Sequence, residues 1–120
     1  MRARGDRFEA RAADWLLHKG QRLIRRNYRA RTGEIDLVML EGDCLVFVEV
    51  RARGHAGFGG AAVTVDRRKQ QRIFRTAQAF LQENPHYAHL PCRFDVLAFE
   101  PRQSPGNQDI HWIKGAFIGA

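Results

Sequence analysis

The 120-residue chain is predicted to form one domain, residues 1–120. It reads as a sandwich of the α/β or α+β kind, in the order helix, three strands, helix, one or two strands, around a mixed sheet. Three observations predict this. Two segments, one near the N-terminus and one in mid-chain, carry apolar residues at helical spacing. Two strand segments meet at Gly42-Asp43, a favoured two-residue hairpin loop. Both faces of that hairpin are apolar near its turn, which calls for a cover on each side.

The first helix spans about Asp6 to Lys19, with Phe8, Ala12, Trp15 and Leu16 on one face and Gly20 as its stop. A short strand fits Arg22 to Tyr28 around Leu23 and Ile24, and Arg29 to Gly33 reads as a basic loop. The hairpin strands are Glu34 to Leu40, with Ile35, Leu37 and Met39 on one face, and the Val- and Phe-rich Cys44 to Ala52. The loop with Gly54, Gly57, Gly59 and Gly60 lacks the Lys-Ser/Thr ending of a phosphate-binding P-loop. Asp66 caps a long helix to Glu83, stopped near Pro85, whose apolar face carries Ile73, Ala77, Phe80 and Leu81. Cys92 to Phe99 alternates as a strand, Pro101 to Asp109 is a loop, and Ile110 to Lys114 is the final strand.

The formal net charge is +7. A dispersed basic surface concentrates polyanions, so nucleic acid is the expected partner. An arginine-rich genome would produce the same excess. The arginines placed to track a phosphate backbone are Arg29, Arg31, Arg53, Arg67, Arg68 and Arg72. No segment has the ~18–20 apolar residues of a membrane span, and no apolar run follows the basic N-terminus, so neither membrane nor secretion is expected. Cys44 and Cys92, the two cysteines, read as reduced thiols of a cytoplasmic protein. A single serine, Ser104, in a loop argues against a serine-nucleophile triad, and the five histidines show no metal-ligand spacing.

The hairpin carries the chemistry. Counting outward from Gly42-Asp43, Glu41 faces Cys44, Leu40 faces Leu45, Val38 faces Phe47 and Asp36 faces Glu49. Directly opposed residues have Cβ atoms about 4.5–5.5 Å apart. Two carboxylates that close, in apolar surroundings, repel strongly. Either a cation such as Mg²⁺ or Mn²⁺ holds them together, or Arg51, on the face of Glu49, neutralises them directly. Glu9, at the margin of the first helix's apolar stripe, either joins the cluster or is solvated. Lys69, on the face of Ile73 and Phe80, either snorkels to the surface or reaches the site to position an attacking water. Glu34 is a further carboxylate or the exposed start of a strand. Asp95 reads as a structural partner for a nearby arginine, and Phe58 as an aromatic able to stack on an unpaired base.

Gly33-Glu34-Ile35-Asp36-Leu37-Val38, followed by Phe47-Val48-Glu49-Val50-Arg51-Ala52-Arg53, resembles the YraN-like family of uncharacterised bacterial proteins. The resemblance extends to Arg26-Asn27-Tyr28-Arg29, to Ala62-Val63 and Lys69, and to Arg93-Phe94-Asp95-Val96. That family looks like a branch of the PD-(D/E)XK nucleases, closest in plan to archaeal Holliday junction resolvases. The resemblance implies a restriction-endonuclease-like core. It also implies a metal site of Glu9, Asp36 and Glu49, and catalytic roles for Asp36, Glu49, Arg51 and Lys69. Arg51 stands where the E-x-K element usually has lysine; arginine stays protonated and cannot act as a general base. Lys69 is then the candidate lysine, since some members draw theirs from the following helix. Phe8 stands where the family is expected to have glycine. The implied function is a Mg²⁺- or Mn²⁺-dependent endonuclease, with branched DNA as a substrate; resolvases need two active sites, which implies a homodimer, though no sequence feature shows one. The alternative is a non-catalytic nucleic-acid-binding module that keeps the fold.

Overall fold

The computed structural model describes residues 3–52, 65–101 and 108–117. The central strand is β3 (Cys44–Ala52), antiparallel to β2 (Gly33–Glu41) on one side and parallel to β4 (Cys92–Pro101) on the other. β1 (Arg22–Ala30) pairs antiparallel with β2, and β5 (Gln108–Ile113) antiparallel with β4, so the mixed sheet runs β1-β2-β3-β4-β5. A parallel neighbour needs a crossover, and the connection from β3 to β4 contains α2 (Arg67–Glu83) and a turn of 3₁₀ helix at Pro85–Tyr87. Among the described residues the other α-helix is α1 (Ala3–His18). This α/β core, with a five-stranded sheet and two helices, is compatible with the restriction-endonuclease-like plan. No helix among the described residues is long and apolar enough to cross a membrane.

Each face of the hairpin has its helix, as its two apolar sides require. Leu37, Met39, Val46 and Val48 pack with Ala12, Ala13 and Leu16 of α1, together with Leu97 and Phe99 of β4. Val38, Leu45 and Phe47 pack with Ile73, Ala77 and Phe80 of α2. The turn is two residues long and begins at Gly42, whose φ of +58° suits glycine. Tyr28 ties β1 to α2: its ring meets Phe80 edge-on and its hydroxyl donates to Glu83 Oε1 at 2.6 Å. Burial, and then the Glu83 carboxylate, push the Tyr28 phenol up to about 12.

Several expected boundaries move. α1 starts at Ala3 rather than near Asp6. The basic loop shrinks to Arg31-Thr32, because Arg29 pairs with Glu34 and Ala30 with Gly33 in a ladder that runs to the turn. β5 begins two residues early, at Gln108. The glycine-rich loop, Phe58, Ala62, Val63, Arg53 and Ser104 lie outside the described residues.

One expectation about faces is corrected. Ile35 does not share a side with Leu37 and Met39; it packs in the α2-side cluster with Tyr28, its ladder partner. Strict alternation therefore breaks at Asp36.

In mid-sheet, level with Val48 of β3, Asp95 is fully buried and saturated with donors. It accepts from Arg93 Nε and Nη2 at 2.8 and 2.9 Å, from Trp112 Nε1 at 2.9 Å and from Gly115 N at 2.9 Å. Arg93 also donates to Glu41 Oε1 at 2.7 Å. This is the structural pairing expected of Asp95, and it joins β2, β4 and β5. Removing one partner of a buried pair costs about 3–5 kcal/mol. Asp95→Ala is expected to lower the urea unfolding free energy by that amount; a loss below about 1 kcal/mol, the value of a surface pair, would contradict the clamp.

Candidate functional site

The end of the sheet away from the Gly42 turn collects the sequence-selected residues. β2 begins there, β1 and β3 end there, and the first turn of α2 reaches it. The β2–β3 ladder runs from Glu41↔Cys44 to Leu37↔Val48 and stops one step short of the expected Asp36–Glu49 pair. Beyond that point the two strands no longer exchange backbone bonds. Val50 N instead donates to Asp36 Oδ2 at 2.8 Å. Asp36 thus occupies the fork between the strands rather than standing face to face with Glu49, which corrects the direct opposition counted from the turn.

Asp36, Glu49 and Glu9 are all buried, at 8%, 6% and 2% exposure. Glu9, which the sequence leaves open between solvent and site, turns inward from α1 and shares a side-chain hydrogen bond with Asp36. Glu9, Glu34 and Asp36 each offer a carboxylate oxygen, all within 4.8 Å of one another. Glu34, left open by the sequence, is therefore a member of the cluster; its spacing two residues before Asp36 was the available signal. Glu49 stands differently. Its Oε2 lies 2.9 Å from Lys69 Nζ and 3.3 Å from Arg51 Nη1. Lys69 thus reaches the site instead of snorkelling away. Its helix is anchored at that point, since Asp66 caps α2 by accepting from Lys69 N at 2.8 Å.

Electrostatics follow from this crowding. Burial raises the Asp36 carboxyl well above its ordinary value; the charges of Glu49 and Glu9 and the hydrogen bond shared with Glu9 add to the effect. The Val50 N–H works in the opposite direction, because it favours the ionised form. A set of carboxylate oxygens without histidine or cysteine suits a hard cation, Mg²⁺ or Mn²⁺. Glu9, Glu34 and Asp36 are the residues able to hold it, with Glu49 adjacent.

Basic side chains flank the cluster. Arg29 is exposed and pairs with Glu34 Oε2 at 3.4 Å. Arg31, Arg67, Arg68 and Arg72 are exposed, while Arg53 lies outside the described residues. The β1–β2 turn is fastened to α2 by a 2.8 Å hydrogen bond between Thr32 Oγ1 and Thr76 Oγ1. A Cβ at Gly33 would lie 3.9 Å from Arg72 Cβ, so this arginine adjoins the turn carrying Arg29 and Arg31.

Comparison with known proteins matches residues 8–99 to a family described as "Uncharacterised protein family UPF0102". A UPF0102 protein of Pseudomonas putida strain GB-1 is 48% identical over 113 residues, covering 94% of this chain and 91% of the relative. One from Pseudomonas syringae pv. syringae strain B728a is 51% identical over 114 residues, with 94% and 91% coverage. One from Stutzerimonas stutzeri strain A1501 is 51% identical over 110 residues, with 91% and 89% coverage.

The raised Asp36 carboxyl has a consequence for stability. A carboxyl whose folded value lies above its unfolded value favours folding most below the unfolded value, and that contribution is lost as pH rises through the folded one. Asp36 therefore contributes less to the stability of cation-free protein at neutral pH than in acid. Asp36→Asn keeps an acceptor for Val50 and removes the charge, so its thermal midpoint in chelator is expected to exceed the native one by a few degrees at pH 7 and to match it near pH 3. Equal midpoints at pH 7 would show that the cluster is already neutralised.

Proposed function

This chain belongs to the UPF0102 family, the YraN-like group its hairpin motifs resemble, and we propose that it is a Mg²⁺- or Mn²⁺-dependent endonuclease acting on DNA phosphodiesters. The observation that carries this reading is the meeting of Glu9, Glu34 and Asp36 within 4.8 Å, in a protein of net charge +7. Like charges are gathered, two of them buried, where a purely structural protein would gain by removing one. When bound, the cation supplies positive charge to a phosphoryl oxygen and acidifies water.

The chain's own residues take the other roles. Arg51 stays protonated, so it holds a phosphate oxygen and stabilises charge that develops there. Lys69, held beside Glu49, orients the attacking water. Arg29, Arg31, Arg53, Arg67, Arg68 and Arg72 follow the phosphate backbone, which positions substrate without reading sequence. Branched DNA is the preferred substrate in this reading, and cutting a junction on both sides would require two copies of the chain. The free thiols Cys44 and Cys92 fit a reducing cytoplasm as the place of action.

A second reading has one observation in its favour. Lys69 and Arg51 both contact Glu49 Oε2, which neutralises that carboxylate without a cation and suits a binding module that no longer cleaves.

The two readings separate in one experiment: cleavage of labelled linear, single-stranded, flap and four-way-junction DNA with Mn²⁺ or Mg²⁺. The endonuclease predicts junction or flap cleavage that falls below detection in Asp36→Ala and Glu49→Ala, while salt-sensitive DNA binding persists in both. Tight junction binding without cleavage, unaffected by either substitution, would replace it with the binding module.

A further inference from the structure

Asn27 is the one residue other than glycine with positive φ among the described residues, at +54°. It lies inside β1, where extended backbone is the rule. The ladder pairs Arg26 with Leu37 and Tyr28 with Ile35, so Asn27 stands across from Asp36. Both neighbouring pairs are kept, and no shift of register occurs at this point. Asparagine tolerates the left-handed region better than most residues, often with help from a local side-chain hydrogen bond. Here Oδ1 is buried and accepts no hydrogen bond among the described residues. The conformation is therefore imposed by the paired strands on either side rather than by the side-chain oxygen. Strained residues of this kind persist where the surroundings over-determine them, and they gather at functional sites.

The consequence lies on the partner strand. Alternation breaks at the same level: Ile35 turns to the α2 side with Tyr28, while Leu37 stays on the α1 side. Between them Asp36 accepts from the Val50 N–H at the fork.

We propose that Asn27 is a positioning residue of the acidic site: its left-handed backbone turns the β1–β2 pair so that the Asp36 carboxylate enters the fork instead of a face of the sheet. The structural part of this proposal stands on the pairing and hydrogen-bond geometry; its consequence for cation binding rests on the reading given above.

The test uses Asn27→Gly, which accepts positive φ without strain, and Asn27→Ala, which does not. Amide hydrogen exchange at Val50 is read by NMR against Val46 and Val48, whose N–H groups point the same way by strand parity. Mn²⁺ affinity is read by calorimetry. Asp36→Ala, which removes the acceptor, sets the scale. Asn27→Ala is expected to speed exchange at Val50 by about tenfold relative to the two reference valines and to weaken Mn²⁺ binding by about tenfold or more; Asn27→Gly is expected to stay near the native protein in both. Should Asn27→Ala not fold, Asn27→Ser carries the same comparison. Val50 protection unchanged in the non-glycine variant, or lost equally in Asn27→Gly, would overturn the proposal. Native protein that binds no Mn²⁺ yet shows the expected Val50 pattern would remove the cation reading and leave the positioning role standing.

Discussion

The hydrogen bond from Val50 N to Asp36 Oδ2 is the contact on which the site depends. β2 and β3 share a regular ladder from the Gly42 turn to Leu37↔Val48 and there part company. An N–H left buried and unpaired at such a fork costs about 1–3 kcal/mol. A carboxylate takes the place of the missing carbonyl and keeps the parting free of that cost. The opening that results admits Glu9 from α1, on one side of the sheet, and Lys69 from α2, on the other. A site served by both helical layers exists because the central hairpin is left unfinished at one end.

Two clusters of acidic side chains are put to opposite uses. Level with Val48, Asp95 receives four donor bonds, and Arg93 carries the pairing on to Glu41 beside the Gly42 turn. The Glu41 carboxyl is held low, chiefly by the Arg93 hydrogen bond. Charge there is matched within the protein and the strands are locked. At the fork, Glu9, Glu34 and Asp36 face one another, and the Asp36 carboxyl is driven up. Desolvation acts in both clusters; the difference is whether donors or more carboxylates surround the group.

Glu49 lies between these regimes. Two cationic side chains hold its Oε2, and they are not equivalent. Arg51 comes from the same strand two residues on, so its reach follows from alternation. Lys69 comes from a helix some twenty positions later, and its approach depends on the Asp66 cap and on the packing of Ile73, Ala77 and Phe80 against the sheet. Guanidinium chemistry limits Arg51 to holding charge. Any proton-handling at this spot therefore falls to a residue delivered by tertiary packing.

Local physics made much of the molecule legible. Gly42-Asp43 announced the hairpin, and alternation from it reproduced the register as far as Leu37↔Val48. The helical stripes of α1 and α2 identified the covers for its two apolar faces. The Arg93–Asp95 pairing followed from spacing on one strand, because residues two apart share a face. Counting failed at Asp36 and Ile35, since a period of two presupposes an unbroken ladder. No pattern in the sequence marked Asn27 as left-handed. By itself the sequence determined which residues would make helices and strands, and that acidic groups would gather at one end of the hairpin. Only the tertiary structure decided where the ladder parts, which carboxylates meet and which cation reaches Glu49. Those outcomes depend on strand twist and on helices packed from both sides, neither of which is encoded in the spacing along any one segment.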